Sequence, residues 1–149
     1  MAVQGTFTTT IAATPEQVWP WIVDVTKHGE YSPHAFQAEL VSGDVGKVGS
    51  RYRSVGWIPN DKNHSNEVEV TEAVPHERVV LKAVDPLGTF TNTYVLRAVG
   101  GGTEVAWTMT FPPLKFPMSM MAPVLFPLVG KPDGRKRVAL LKAKVESAH

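Results

Sequence analysis

Two stretches of this chain alternate side chains with a period of two. Phe90, Asn92, Tyr94 and Leu96 fall on one side, opposite Thr91, Thr93, Val95 and Arg97. After Gly100-Gly101-Gly102, Val105, Trp107, Met109 and Phe111 fall on one side, opposite Glu104, Ala106, Thr108 and Thr110. That period belongs to β-strands. The residue types suit binding: aromatic faces, a thioether, one amide and one phenol. An amide on an apolar face must be hydrogen-bonded when buried. Asn92 or Tyr94 is therefore suited to orient a polar group of an apolar molecule. Ordinary core packing accounts for most such stripes, and Asn92 has a neighbouring strand or a water as alternative partners.

Signals for catalysis are thinner. The five histidines are His28, His34, His64, His76 and His149, and no pair has the spacing of helical metal ligands. His28 and His34 fall in a polar loop region with Glu30, His76 reads as a turn residue, and His64 precedes a strand, where solvent exposure is expected ahead of the alternative, a place at a cavity mouth. No G-x-S-x-G elbow is present. Gly130 to Lys136 superficially resembles a phosphate loop, but the spacing is wrong and Ser/Thr is missing. The run Arg135-Lys136-Arg137 reads as a solvated helix face. Neither a metal nor a cofactor is implied. An acid or base for proton transfer would have to come from Tyr94, His64, Arg53 or Asp61, which form no recognisable constellation.

The elements that must position these residues are legible. Gly5 to Ala13 suits a strand. Thr14 then reads as an N-cap, Pro15 as the first helical residue and Gln17 as the far side of a capping box, with Val18, Trp19 and Ile22 on one apolar face. Asp24 to Pro33 holds a second short helix and a loop. Strands are expected at 36–41, 51–58, 65–74, 78–84, 89–99 and 103–111, with turns about every ten residues, the spacing of an antiparallel meander. In the fourth strand, Glu67 and Glu69 face one side and Val68 and Val70 the other. Phe116 to Val129 is apolar and Met-rich, and Pro117, Pro123 and Pro127 prevent one straight helix. Arg135 to Ser147 reads as a terminal helix with Val138, Leu141 and Val145 on one face.

Composition sets the outer bounds. A chain of 149 residues with 43% hydrophobic and 19% charged side chains fits one globular domain, 1–149. A net charge of +1 gives no case for a nucleic-acid partner, and the lack of cysteine excludes disulfides and Cys-based zinc sites. The N-terminus lacks the features of a signal peptide and no run of about 18 apolar residues occurs, so a cytoplasmic protein is expected.

The ordered motifs carry a resemblance. Thr14-Pro15-Glu16-Gln17-Val18-Trp19 with Asp24, then Tyr31-Ser32-Pro33, Gly46-Lys47-Val48-Gly49-Ser50-Arg51, Gly100-Gly101-Gly102-Thr103-Glu104-Val105, and the helix Lys136 to Glu146 resemble the START-like, Bet v 1-like (SRPBCC) group, nearest its polyketide cyclase/dehydrase-like members. The resemblance implies an α+β helix-grip fold: a curved seven-stranded antiparallel sheet around a C-terminal helix, with two short helices after the first strand. It also implies a cavity between sheet and helix, because one helix does not fill a curved sheet, leaving roughly 300–1,000 Å³. The expected lining is Trp57, Phe90, Asn92, Tyr94, Trp107, Met109, Met121 and Phe126. Met118, Met120, Met121 and Phe126 would make a soft entrance, the proline-broken segment serving as a broken helix or flap. If Trp57 points in, so do Arg51 and Arg53, since all three share a strand phase. The expected partner is a small hydrophobic molecule: a lipid, a polyketide-like aromatic or a terpenoid. A cyclase or dehydratase acting on a polyketide-like intermediate is the alternative. A third is a protein-interaction or peripheral membrane module, docking by the Pro/Met-rich segment and Arg135 to Arg137.

Overall fold

The computed structural model describes residues 4–58, 61–85, 88–111 and 131–148, without the side chains of 57, 58, 61, 62 and 85. Trp57, Asp61, Met118, Met120, Met121, Phe126 and the 116–129 flap therefore lie, in side chain or entirely, outside the described residues.

Local chemistry builds the first turn of the fold. β1 (Gln4–Ile11) runs into α1 (Pro15–Val23), and the capping box closes as the sequence requires: Gln17 N–H donates to Thr14 Oγ1 at 3.2 Å and Thr14 N–H to Gln17 Oε1 at 2.9 Å. α1 buries Val18, Trp19, Ile22 and Val23. A 3₁₀ helix, Val25–Tyr31, follows at once, capped by Asp24, whose carboxylate accepts from Thr26 N–H at 3.1 Å and its hydroxyl at 2.6 Å.

Six further strands make a meander: β2 (Phe36–Ser42), β3 (Arg51–Ile58), β4 (Asp61–Val74), β5 (Arg78–Asp85), β6 (Gly88–Val99) and β7 (Gly102–Thr110). β1 closes on β7, giving one antiparallel sheet in the order β1-β7-β6-β5-β4-β3-β2. Register shifts at Leu40/Ser42, Gly56/Ile58 and Val70/Glu72 bend the strands, which is how the sheet acquires its curvature. The third shift also leaves both Thr71 and Glu72 exposed. β4 starts four residues earlier than its alternation suggests, because the polar stretch from Asp61 pairs with the end of β3.

α2 (Lys131–Ala148) lies against the concave face. It too starts earlier than Arg135, since Pro132 is tolerated in a first turn whose N–H groups have no helical partner. Val138, Leu141 and Val145 point at the sheet, where they join Ile11, Val18, Ile22 and Val105 in a dry core. Lys142 Nζ donates to Thr10 O at 2.7 Å and Glu146 accepts from Ala12 N–H at 2.8 Å, tying the far half of α2 to the end of β1. Near the other end, Gly134 permits an unusually close approach: a Cβ there would sit 2.3 Å from the Phe7 ring. No helix among the described residues is long and apolar enough to cross a membrane.

Candidate functional site

A cavity of about 260 Å³ opens between the sheet, the 32–36 segment and the first turns of α2. Phe7, Phe36, Trp107, Met109 and Phe111 give it apolar walls; His34, His64, Asn66, Asp133 and Arg137 give it polar points. The strand phase explains the lining. His64 and Asn66 share the inward parity of Val68 and Val70, and Trp107 and Met109 that of Val105. His34 Nε2 and Asp133 Oδ2, 2.9 Å apart, tie the loop to the head of α2 and close one side of the mouth.

Arg137 governs the electrostatics. The run Arg135-Lys136-Arg137 is not a uniform solvated face. Arg135 and Lys136 are exposed, whereas the Arg137 guanidinium turns inward, because 137 lies one helical turn before buried Leu141. Its Cζ stands 5.0 Å from the Tyr31 ring centre and 5.1 Å from that of Trp107, within cation–π range. Nη2 donates to His28 Nδ1 at 3.3 Å and to the Tyr94 hydroxyl at 3.4 Å, both long bonds. Nε is buried and has no acceptor. Among the described residues no carboxylate pairs with this cation, and Asp133, one turn earlier, is turned to His34.

The neighbours of Arg137 are held firmly. His28 is buried in the 3₁₀ helix, and its Nε2 lies 2.8 Å from Ile22 O. Accepting from Arg137 at Nδ1 while facing a carbonyl at Nε2 requires the neutral Nε2–H tautomer. Burial lowers the His28 pKa to about 3, the Arg137 charge adding to the effect and the Ile22 bond opposing it. Tyr31 donates to Trp21 O at 2.9 Å, and burial pushes its pKa well above the ordinary value. A guanidinium stays protonated throughout. The layer is thus one cation among neutral acceptors and ring faces. It can hold an anionic or strongly polar oxygen, with the apolar walls taking the rest of a molecule.

The residues picked out from the sequence sort as follows. Trp107 and Met109 line the cavity. Asn92 is one layer back, its Oδ1 accepting from Trp107 Nε1–H at 3.0 Å, so the amide orients the indole. Tyr94 is buried beside Arg137 with its ring stacked on Trp107, centres 6.0 Å apart. Phe90 packs edge-on against Phe111 at 5.5 Å. The side chain of Trp57, like Met121 and Phe126, is outside the described residues. Arg51 and Arg53 are on the outer face, paired with Glu69 and Glu39. His64, expected in solvent, is half-buried on the cavity wall. Arg137 and Asn66 line the cavity, and His28 and Tyr31 pack on Arg137, positions that the sequence reading did not assign to them. The i to i+4 relation of Arg137 to Leu141 and the strand parity of Asn66 are the signals that point to two of them.

Comparison with known proteins shows the family and the fold. Residues 2–146 match the family model described as polyketide cyclase / dehydrase and lipid transport. No curated protein matches. Among solved structures, the chain is similar to the di-domain ARO/CYC protein StfQ from the steffimycin biosynthetic pathway (TM-score 0.78, 15% identity), covering 99% of this chain and 52% of that one. It is also similar to KanY (ms6282), with TM-score 0.74, 18% identity, and coverage of 98% and 99%. Protein CV1439 from Chromobacterium violaceum gives TM-score 0.68 and 19% identity, covering 97% of this chain and 98% of that one. At these identities the structures establish the shared fold. With a sheet that grips α2 and a family model spanning nearly every residue, the chain belongs to the polyketide cyclase / dehydrase and lipid transport family of the SRPBCC group.

Proposed function

We propose that this protein binds a small, largely apolar molecule in the cavity between the concave sheet and the first half of α2. The observation that carries this reading is the lining: Phe7, Phe36, Trp107, Met109 and Phe111 surround a space of about 260 Å³ with a few convergent polar groups. That combination is what small-molecule sites share. The family description, which covers both cyclase/dehydrase and lipid-transport proteins, supports it. Binding draws on burial of apolar surface, about 25 cal/mol per Å² before the costs of association. The test is a thermal-shift and tryptophan-fluorescence screen against aromatic, terpenoid and acyl-chain molecules, with mass spectrometry of material co-purifying with the protein. Several apolar molecules should raise Tm, and Met109→Trp, which fills the cavity, should abolish the shift. A screen with no shift, or shifts indifferent to Met109→Trp, would sink the reading.

A second reading, a cyclase or dehydratase acting on a polyketide-like intermediate, draws on a specific observation. His64 lines the cavity, and the Tyr94 hydroxyl lies 3.4 Å from Arg137 Nη2. A phenol beside a fixed cation is a chemically reasonable proton donor. Turnover of a poly-β-ketone analogue that is lost in Tyr94→Phe, with binding retained, would favour this reading over simple carriage.

A further inference from the structure

We infer that the molecule this cavity takes carries a carboxylate, and that Arg137 is the residue that selects it. The inference rests on the cavity-binding reading above and deepens it. A guanidinium offers five N–H donors in a fixed plane. Here Nη2 donates to His28 and Tyr94 at 3.3 and 3.4 Å, and the Tyr31 hydroxyl is a further partner; all are neutral groups, and the two measured bonds are at the long end of hydrogen-bond distance. Nε is buried with none. Buried charges are normally paired, because an unpaired one forfeits its hydration without return. Every other recorded Arg ion pair lies on the protein surface: Arg51 with Glu69, Arg53 with Glu39, Arg78 with Glu72 and Arg97 with Glu104. Arg135, exposed to solvent, has no recorded ion pair either, but among the described arginines Arg137 is the one that lines this cavity.

The surroundings favour an anion supplied from outside the chain. The faces of Tyr31 and Trp107 hold the guanidinium in place without neutralising it. His28 accepts with its neutral Nδ1, so it does not offset the Arg137 charge. Asp133 is the one described acid on the cavity wall, and its contact with His34 directs it away from Arg137. A carboxylate on a flat apolar body would place its oxygens on Arg137 and its ring against Trp107, Met109 and Phe7.

The experiment compares two probes of nearly equal shape, naphthalene-2-carboxylate and its neutral primary amide, by calorimetry at pH 7. The wild-type protein should bind the carboxylate about 10- to 100-fold more tightly, the range of a hydrogen bond to a charged group. In Arg137→Met that preference should vanish, the carboxylate losing far more affinity than the amide. Equal affinity of the two probes in the wild-type protein overturns the inference and leaves the cavity reading standing, and needs no variant to observe. A preference that survives in folded Arg137→Met also overturns it. Failure of both probes, together with failure of the neutral apolar panel described above, removes the cavity reading and this inference with it.

Discussion

Along α2 two neighbouring turns meet the same sheet in opposite ways. Leu141 and Val145 enter a layer with Ile11, Val18, Ile22 and Val105 where every one of these side chains is apolar and at most 1% exposed. One turn earlier Arg137 enters a layer of His28, Tyr31, Tyr94 and Trp107 where, among the described residues, a cation lacks a counter-charge beside an open cavity. The first layer gains stability from apolar burial and has nothing to offer a ligand. The second holds polar groups that the chain satisfies only in part, and such groups are where binding free energy is to be found. A single helix therefore divides its length between holding the fold and presenting the site.

That division can be broken in three places, of decreasing size. Leu141→Ala should cost about 2–5 kcal/mol of stability through lost burial and a cavity that the layer cannot collapse around. Urea unfolding would read it, while ligand affinity of the folded fraction stays put. A change of affinity without loss of stability would mean that the dry layer is part of the site. Acid comes next. The folded pKa of His28 is below its unfolded value, so the unfolded chain binds the extra proton, and stability is complete above pH 6.5 and falls as pH drops towards about 3. By pH 4 the loss attributable to His28 is roughly 3 kcal/mol. His28→Gln should flatten that portion of the stability–pH curve, and an unchanged curve would show that His28 is hydrated rather than sealed in.

The smallest effect should come from Arg137→Met. Methionine removes a cation that has no counter-charge among the described residues, which favours the variant, and it orphans Nδ1 of His28, which costs about 1–3 kcal/mol. The two oppose each other, so thermal unfolding should move clearly less than for Leu141→Ala. A loss as large as that for Leu141→Ala would make Arg137 a structural residue and erase the contrast between the layers.

What could be read from the sequence follows the range of the interactions. The capping box of Thr14 and Gln17, the alternation in β6 and β7 and the buried stripe of α2 are each decided within two to four residues, so residue types report them directly. The site is assembled otherwise. His34 meets Asp133 across 99 residues and Arg137 meets His28 across 109. No local pattern encodes such meetings, which depend on how far the bulged strands curl and how deeply α2 seats. Asn92 shows the same limit. Its inward phase was readable, but that its partner would be the Trp107 indole on the adjoining strand follows only from the β6–β7 register. Arg137 was hidden by its company, since two of three consecutive basic residues are indeed exposed.

Gly134 has a consequence beyond packing. A missing methyl group allows α2 to lie on Phe7, and both residues border the cavity. Any side chain at 134 must either tip that ring into the cavity or lift the head of the helix away from β1. The first narrows the chamber; the second widens its mouth and moves Arg137, a turn further along the same rod. Helix seating, chamber size and the reach of the cation are thus one adjustable quantity. Position 134 is the screw that sets it.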